Sequence, residues 1–547
     1  MMQSETRDFL IEHLSAVRGG WEAVQEIGTH VSVVLMAGDR ALKLKRAVRL
    51  PYLDFLTPEQ RLHACEAELA VNRRAALGLY RGVRRITRAA DGSLALDGDG
   101  VLVDAVVEMR RFRQEDLFDR MVRDGRLTPA LVADLGRRLA ALHARAPVSR
   151  DQGGAAAILD LIALNDLSLR ASGLVSQGEA AALRGAFRAR LARHAARLDA
   201  RRAAGRVRRC HADLTLRNIC LFEGVPTPFD ALEFDDRLAT IDVLYDLAFV
   251  LMDLCHRERA DLANLLFNCY LDAVEEPADE AADTGLIPFL MAMRAAIRAH
   301  VSASQAVGMG GEAEASLACE ARAYLALARR LLADTSSHLL AVGGFSGTGK
   351  STLAAALAPG LGPPPGARIV SSDRVRKRLC GVAPLSRLPA EAYAPERSDA
   401  VYAALRAEAG AVLAGGASAI LDAVFDRPAE RAAVAALASS RGASFRGVWL
   451  QGPVETLRAR IEARRDDPSD ATPAILAAQM RRDCVPMTWR RLDATLPPET
   501  LLASLQADDA AFFGSPPSPV RPDDAQAPDS SSMAARAIGS SPLAGTT

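Results

Sequence analysis

A chain of 547 residues is too long for a single hydrophobic core, and at about 150 residues per domain it predicts roughly three domains. Its 67 basic and 67 acidic residues cancel, so no overall positive charge favours a nucleic-acid-binding protein. The 8 cysteines are scattered without a C-x-x-C pair, which argues against a disulfide scaffold or a zinc site and for reduced thiols.

Two features argue against secretion and membrane insertion. Residues 1–14 carry the acidic side chains of Glu5, Asp8 and Glu12 among their apolar residues, which is unlike a signal peptide. No apolar run reaches about 18 residues, the length that a membrane-spanning helix needs. We therefore expect a cytoplasmic protein without a membrane partner.

The chain begins with a predicted amphipathic helix over 3–18 and a predicted β-hairpin with a Gly38-Asp39 turn. The strands of this hairpin are predicted over 31–36 and 40–45. Lys43 lies in the second strand, and Lys45 follows on the same face. Only four of the 67 basic residues are lysines, so a lysine here indicates a compact charge that must reach a phosphate. The two lysines compete for that role.

A helix is predicted to begin at Thr57-Pro58-Glu59, with Thr57 as its N-cap, and to run to about Leu77. In a kinase fold this helix supplies a glutamate that pairs with the strand lysine, and we favour Glu68 over Glu66. The elements predicted next are a strand over 101–109 and helices over 128–145, 155–172, 177–204, 257–275, 284–305 and 311–333. The helix over 177–204 is rich in Ala and Arg, and this composition predicts that it is exposed.

The strongest catalytic pattern is the stretch H-A-D-L-T-L-R-N over 211–218. Asp213 and Asn218 are 5 residues apart and Asp230 follows 12 residues later, the order of a protein-kinase catalytic loop and its metal-binding aspartate. In phosphoryl transfer, one aspartate accepts the proton of the attacking hydroxyl, while an asparagine and a second aspartate hold Mg²⁺. We predict Asp213 as the base and Asn218 and Asp230 as metal ligands. Asp246 is predicted to cap and pack the loop.

Residues 43–249 resemble the aminoglycoside phosphotransferase family, a branch of the kinase-like fold. Its members typically carry H-G-D-L-H-x-x-N; here Ala212 replaces the glycine and Thr215 replaces the second histidine. The resemblance implies the base and metal roles given above. Because Asp213 and Asn218 are intact, the change at Thr215 bears on the acceptor more than on catalysis. The family includes kinases of choline-like, sugar and other small hydroxyl compounds.

A second, unrelated phosphate motif is G-F-S-G-T-G-K-S over 344–351, between a predicted strand over 339–343 and a predicted helix over 351–357. Strand, G-x4-G-K-S and helix form the context of a nucleotide-binding P-loop. Backbone N–H groups cradle the phosphates, Lys350 neutralises their charge and the Ser351 hydroxyl binds Mg²⁺. The predicted nucleotide-binding residues are Gly344, Ser346, Gly347, Thr348, Gly349, Lys350, Ser351 and Thr352.

Strands and helices alternate beyond the P-loop, with polar residues at the ends of the strands. Predicted strands over 368–372, 419–421 and 445–450 precede Asp373, Asp422 and a helix over 454–465. Such alternation predicts a doubly wound parallel sheet, with ligands bound at the carboxyl ends of the strands.

This pattern resembles small P-loop kinases, in particular the kinase part of phage polynucleotide kinase, and also gluconate-kinase and zeta-toxin relatives. The resemblance implies that Asp373 accepts the proton of the acceptor hydroxyl and that Arg376 holds the acceptor. It also implies that Arg464 of the lid helix stabilises the transferring phosphoryl group and that Asp422 belongs to the metal site.

The order of the two halves resembles that of bifunctional aminoglycoside phosphotransferase/ATP-binding proteins. We expect an α+β bilobal protein-kinase-like domain over 1–333 and an α/β P-loop domain with a doubly wound parallel sheet over 334–512. Residues 513–547, rich in Pro, Ser, Asp and Ala, are predicted to form a disordered tail.

The leading interpretation is an ATP-dependent phosphotransferase with two nucleotide sites, Mg²⁺, and small-molecule hydroxyl acceptors. A nucleic-acid 5′-hydroxyl stays open as the acceptor of the P-loop domain, and so does the oligomeric state. One alternative is a P-loop domain that regulates the first domain, although the chain lacks the N-K-x-D of a GTPase. Another is a first domain that only binds, against which the complete set of Asp213, Asn218 and Asp230 argues.

Overall fold

The computed structural model describes residues 2–16, 24–29, 31–50, 53–307, 309–464, 468–482 and 484–513. The chain forms two compact units. Among the described residues, the first contains the chain up to Arg257 and Leu290–Leu332; the second contains Glu258–Phe289 and the chain from Ala333 to Phe513. The segment Glu258–Phe289, predicted as part of a domain over 1–333, thus groups with the second unit. The predicted tail lies outside the described residues, except that Phe513 is buried at the end of a helix.

The first unit contains a six-stranded antiparallel sheet in the order β1-β2-β3-β8-β6-β7. Its elements are α1 (Met2–Ala16), β1 (Gln25–Gly28), β2 (Ser32–Ala37), β3 (Arg40–Lys45), β4 (Arg49–Leu50), β5 (Leu53–Asp54), α2 (Pro58–Asn72), β6 (Tyr80–Arg88), β7 (Leu94–Leu96) and β8 (Val101–Arg110); β4 and β5 form a separate pair. Because side chains alternate along a strand, Leu42 and Leu44 of β3 pack with Leu10 of α1, whereas Lys43 and Lys45 lie on the opposite face.

Helix α2 crosses this opposite face. Thr57 forms a capping box with Gln60 at its start, as the sequence predicts for the N-cap. The helix ends at Asn72, before the predicted end, and Leu77 is exposed. A buried ion pair of 2.7 Å between Arg61 and Asp104 ties α2 to β8, the strand that pairs with β3 and its two lysines.

Helices make up most of the remainder of the first unit. The elements that follow in the chain are α3 (Phe118–Arg123), α4 (Pro129–Arg145), α5 (Gly154–Ala171), α6 (Gln177–Ala203), β9 (Val207–Arg209), β10 (Ile219–Phe222), β11 (Val225–Pro228), α7 (Asp236–Ala239), β12 (Thr240–Asp242), α8 (Val243–His256), α9 (Ala260–Ala273), α10 (Pro277–Ala282), α11 (Ile287–Ala306) and α12 (Gly311–Leu331); α9 and α10 lie in the second unit. The prediction that α6 is exposed is wrong for one face, since Leu183, Phe187 and Leu191 are buried.

One helical stretch, Asp279–Ala306, is long and apolar enough to cross a membrane by length and composition, although the sequence led us to expect no such run. In its most apolar window, 72% is buried inside the protein. The core helix of a globular domain meets the same criterion.

The second unit contains a five-stranded parallel sheet in the order β14-β15-β13-β16-β17. Its elements are β13 (His338–Gly344), α13 (Lys350–Leu357), β14 (Arg368–Ser371), α14 (Ser372–Leu379), α15 (Pro395–Ala414), β15 (Ala419–Asp422), α16 (Pro428–Ser440), β16 (Ser444–Gln451), α17 (Val454–Glu462), α18 (Pro473–Met480), β17 (Arg490–Asp493), α19 (Pro498–Asp508) and α20 (Ala510–Phe513). The described part of the predicted helix over 454–465 ends at Glu462.

The central strand β13 is apolar on both faces. Leu339 and Ala341 pack into one hydrophobic cluster, and Leu340 and Val342 pack into another. This explains the continuous apolar run in the sequence, because a parallel strand covered on both sides needs no polar alternation. All five strands point the same way, so the P-loop, Asp373 and Asp422 come to the same edge of the sheet.

Arg368, the first residue of β14, is buried and pairs with two carboxylates. The guanidinium of Arg368 lies 2.6 Å from Asp272 of α9 and 2.9 Å from Glu408 of α15, and it is 2% exposed. Asp272 also contacts the half-exposed Arg374 at 2.5 Å. The same carboxylate therefore has one buried and one exposed arginine partner.

We expect Arg368→Met to lower the free energy of unfolding of the second unit by about 1–3 kcal/mol, because it removes a buried cation that two carboxylates share. Each carboxylate keeps a more exposed arginine partner, Arg374 or Arg378, so neither is left wholly uncompensated. Arg374→Met should cost no more than about 1 kcal/mol, since water replaces an exposed partner. Urea titration followed by the fluorescence of Trp449 and Trp489, both buried in this unit, measures the difference in a Trp21→Phe background. Equal losses in the two variants would contradict the role of Arg368.

Candidate active sites

In the first unit a lysine, a glutamate and an aspartate meet between β3, α2 and the segment after β11. The Nζ of Lys43 lies 2.8 Å from Oε1 of Glu68 and 2.5 Å from Oδ1 of Asp230. Burial lowers the pKa of Lys43, but Asp230 and Glu68 outweigh burial and hold it well above its ordinary value. Lys43 is therefore charged, and its position links the strand to the predicted metal-binding aspartate.

Lys45 does not compete with Lys43 for Asp230. Its Nζ lies 2.5 Å from Oε2 of Glu68 and pairs with Glu233, three residues beyond Asp230. Both lysines thus share Glu68, whereas Glu66 is exposed. The sequence analysis did not predict the role of Glu233. The feature that could have indicated this role is the second lysine, Lys45, buried on the same face of β3.

Asp230 is held in a conformation that aims its carboxylate at Lys43. Its φ is 59°, its backbone N–H donates to the Tyr80 hydroxyl at 3.2 Å, and the next N–H, of Ala231, donates to Asn72 at 2.8 Å. Desolvation raises the pKa of Asp230, but Lys43, together with Lys45 and His211, outweighs it, so the net shift is downward. With 42% of its side chain exposed, this carboxylate is both ionised and accessible to a cation.

The catalytic-loop pattern forms one compact turn. Asn218 donates from Nδ2 to Oδ2 of Asp213 at 2.7 Å and to its backbone carbonyl at 2.9 Å. Ala212 has a φ of 69°, the backbone region that glycine favours and that the family motif fills with glycine. His211 lies within 2.9 Å of the Phe229 carbonyl, which joins this loop to the residue before Asp230. Asp213, Asn218 and Asp230 therefore belong to one connected structure.

Two buried aspartates of α8 accept hydrogen bonds from the backbone of the catalytic loop. Asp246 accepts hydrogen bonds from the backbone of Ala212 at 2.8 Å and of His211 at 3.2 Å, and lies 3.1 Å from Nε2 of His143. Asp253 accepts from the backbone of Leu216 at 2.9 Å. Asp246 thus packs and anchors the catalytic loop, as predicted; the equivalent role of Asp253, two helical turns further on, was not predicted.

The P-loop of the second unit curves tightly between β13 and α13. Gly344, Gly347 and Gly349 have φ values of 143°, 86° and 84°. A Cβ on Gly347 would lie 2.5 Å from the Leu457 carbonyl oxygen, so only glycine fits there. Lys350 reaches back over the loop, with Nζ 3.1 Å from the Phe345 carbonyl.

Other predicted P-loop residues have distinct partners. The backbone N–H of Ser346 donates to Gln479 of α18 at 2.8 Å, and the Thr348 hydroxyl donates to the Phe345 carbonyl at 2.8 Å. The Ser351 hydroxyl donates to Oδ2 of Asp422 at 2.6 Å, which brings the two predicted metal-site groups together. Thr352 is exposed in the first turn of α13.

Asp373 lies in the first turn of α14, near Lys350 and Asp422. Burial and the Asp422 carboxylate raise its pKa above the ordinary value, while Lys350 and a hydrogen bond from Ser469 lower it by less. A carboxyl group with a raised pKa beside a phosphate-binding lysine is well suited to accept a proton.

Arg376 is buried and points towards the segment before α15. It donates to the Ala392 carbonyl at 2.6 Å, and its guanidinium lies 4.6 Å from the centre of the Tyr393 ring. Tyr393 in turn donates to Asp470 at 2.8 Å, and Lys377 contacts the same carboxylate at 2.9 Å. These contacts hold Arg376 near Asp373, whose pKa its charge lowers. Arg464 is half-buried just beyond α17, and residues 465–467 lie outside the described residues.

The donors at both sites suit a nucleotide with Mg²⁺. Asn218 and Asp230 offer an amide and a carboxylate oxygen, and Ser351 with Asp422 offers a hydroxyl and a carboxylate oxygen, the hard ligands that Mg²⁺ prefers. The glycines of the P-loop leave room for phosphate oxygens against the backbone. When bound, the metal ions neutralise the charge of the transferring phosphate.

Comparisons with known proteins match two successive parts of the chain. The model of the "Phosphotransferase enzyme family" matches residues 58–281, and a model described as "AAA domain" matches residues 339–484. Uncharacterized proteins of Mycobacterium tuberculosis and Mycobacterium bovis are each 33% identical over 480 residues, covering 86% of this chain and 92% of the relative.

Two solved kinases are each similar to part of the chain. A choline/ethanolamine kinase family protein from Mesorhizobium loti is 17% identical, with a TM-score of 0.34, and the match covers 61% of this chain and 96% of the other. A gluconokinase from Sinorhizobium meliloti is 19% identical, with a TM-score of 0.24, and covers 33% and 95%.

The fold and the family matches define a kinase-type phosphotransferase, in which a kinase-like phosphotransferase domain precedes a P-loop kinase-like domain with a parallel sheet. The chain belongs to the family of bifunctional aminoglycoside phosphotransferase/ATP-binding proteins.

Proposed function

We propose that each unit is a separate ATP-dependent kinase that transfers the γ-phosphate to the hydroxyl group of a small molecule. One observation carries this proposal: each unit pairs a phosphate- or metal-binding set with its own aspartate. In the first unit Asp213 accompanies Asn218 and Asp230; in the second Asp373 accompanies Ser351 and Asp422. A P-loop domain that only regulated the first unit would not need Asp373 as a base.

The two aspartates perform the same chemistry. The acceptor oxygen forms a bond to the γ-phosphorus, the bond to the bridging oxygen breaks, and ADP leaves with that electron pair. The proton of the acceptor hydroxyl passes to the carboxylate of Asp213 or Asp373. Lys43 and Lys350 hold the phosphates in line, and Arg376 and Arg464 act on the acceptor and the transferring group in the second unit.

In the first unit we infer a bilobal kinase arrangement, with the sheet and α2 as the nucleotide-binding lobe. The shared Glu68 supports this inference, because it orients Lys43 towards Asp230. Lys45 and Glu233 add a second, buried link between β3 and the Asp230 segment. We expect the protein to work in the cytoplasm, in keeping with cysteines that form no disulfide among the described residues.

Calorimetric titration of the full chain with Mg²⁺ and a non-hydrolysable ATP analogue tests for two nucleotide sites. The wild-type protein should bind two nucleotides. Lys350→Ala should remove one, because the P-loop loses its charge, and Asp230→Ala should remove the other, because the metal loses a ligand. A single site that Lys350→Ala abolishes would disprove the assignment of the first unit.

A further inference from the structure

Three arginines from different elements lie near Asp253, the aspartate of α8 that binds the catalytic loop of the first unit. Arg217 lies in the loop next to Asn218, Arg257 follows α8, and Arg298 belongs to α11; all three act electrostatically on the Asp253 carboxylate. The short turn between Asp213 and Asn218 is held to α8 by the bond from Leu216 to Asp253. The cluster is therefore fixed relative to the catalytic base.

Only one of these arginines has a direct ionic partner. Arg257 lies 3.0 Å from Asp253, whose other oxygen accepts the bond from Leu216. Among the described residues, Arg217 and Arg298 make no ion pair or side-chain hydrogen bond. Glu320, the other acid close to Arg298, accepts a hydrogen bond from Ser302 at 2.9 Å. Two guanidinium groups are thus left without a direct contact to a carboxylate.

An aromatic platform sets the position of Arg298. Its guanidinium lies 5.6 Å from the centre of the Tyr324 ring, and that ring stacks on His256 at 3.7 Å with an angle of 14°. Burial lowers the pKa of Arg298, but Tyr324, Glu320 and Asp213 outweigh burial and raise it. Arg298 is a half-buried, permanently charged group that lies close enough to Asp213 for their charges to interact.

We propose that the acceptor of the first unit carries an anionic group, a carboxylate or a phosphate, which Arg298 and Arg217 bind while a hydroxyl of the same molecule faces Asp213. A guanidinium forms strong, charge-assisted hydrogen bonds to both anions. A cationic acceptor is repelled by the same groups. This inference rests on the proposed kinase function of the first unit and names the class of its substrate.

The test uses the full chain with Lys350→Ala, so that the P-loop does not compete for anions. Four probes are compared by calorimetry: glycerol, glycerate, glycerol 3-phosphate and the cationic kanamycin. We expect glycerate or glycerol 3-phosphate, or both, to bind, and the two results separate a carboxylate site from a phosphate site. Arg298→Gln should weaken this binding by about 10–100-fold, the range for losing a hydrogen bond to a charged group.

Arg322→Gln is the matched control, because Arg322 is exposed on α12, the helix that carries Tyr324. It should leave anion binding unchanged. Binding of neither anion, tighter binding of glycerol or kanamycin, or anion binding that survives Arg298→Gln would each overturn the proposal. Nucleotide binding and acceptor-stimulated release of ADP are recorded for the same variants. Turnover of a neutral or cationic acceptor that depends on Asp213 would leave the kinase function standing and reject only the anionic acceptor.

Discussion

Asp213→Asn should slow phosphoryl transfer by the first unit by about 10²–10⁴-fold, the range for losing a general base. Asparagine keeps the shape of the side chain and accepts no proton. Because Lys43 and Asp230 are untouched, nucleotide affinity should stay close to that of the parent protein. Release of ADP in a Lys350→Ala background, which silences the P-loop, measures the effect on the first unit alone.

Asp236→Asn serves as the control for Asp213→Asn. Its side chain is 83% exposed and pairs with Arg209 of β9, and within the described residues it makes no hydrogen bond to Asp213. Asp236→Asn should leave turnover unchanged, whereas Asp230→Ala should abolish Mg²⁺-dependent nucleotide binding. If Asp213→Asn and Asp230→Ala reduced nucleotide affinity equally, the assigned roles of base and metal ligand would be incorrect.

Asp373→Ala should remove phosphorylation of the acceptor by the second unit, with a loss of about 10²–10⁴-fold, and should preserve ATP binding. Lys350 and the glycine loop hold the nucleotide without Asp373. The assay uses the full chain with Asp213→Asn, so that only the second unit turns over. An aspartate that merely caps α14 would cost about 1 kcal/mol of stability and leave turnover per folded molecule intact. A stable, fully active Asp373→Ala protein would therefore rule out its role as base.

The same residue predicts a pH dependence. A base must be deprotonated to act, and burial with the neighbouring Asp422 raises the pKa of Asp373. As the pH is lowered, turnover by the second unit should therefore begin to fall at a higher pH than it would with a base of ordinary carboxyl pKa. Asp422→Asn removes the like charge but also a proposed metal ligand, so its effect is read by carboxyl NMR in the metal-free protein, in which the pKa of Asp373 should be lower than in the wild type. An unchanged pKa of Asp373 would show that Asp422 does not act on it.

Both phosphate-binding motifs could be predicted from residue spacing, because each is made by a short stretch of chain. The loop over 211–218 and the P-loop over 344–351 form their turns from neighbouring residues, so glycine positions and the intervals between Asp213, Asn218 and Asp230 carry the information. The parallel sheet was predictable for a similar reason. A strand buried on both faces, such as β13, appears in the sequence as an uninterrupted apolar run.

The pairing of residues distant in the chain and the division into units depend on tertiary packing, which residue spacing does not specify. Glu68 was distinguished from Glu66 because one side of α2 faces β3, and the pairing of Lys45 with Glu233 joins residues 188 positions apart. Residues 258–289 joined the second unit through contacts such as Arg368 with Asp272, although helical periodicity is the same in either unit. The arginines around Asp253 come from three separate elements, and their convergence depends on how helices pack, because side-chain periodicity within one helix does not specify its partner.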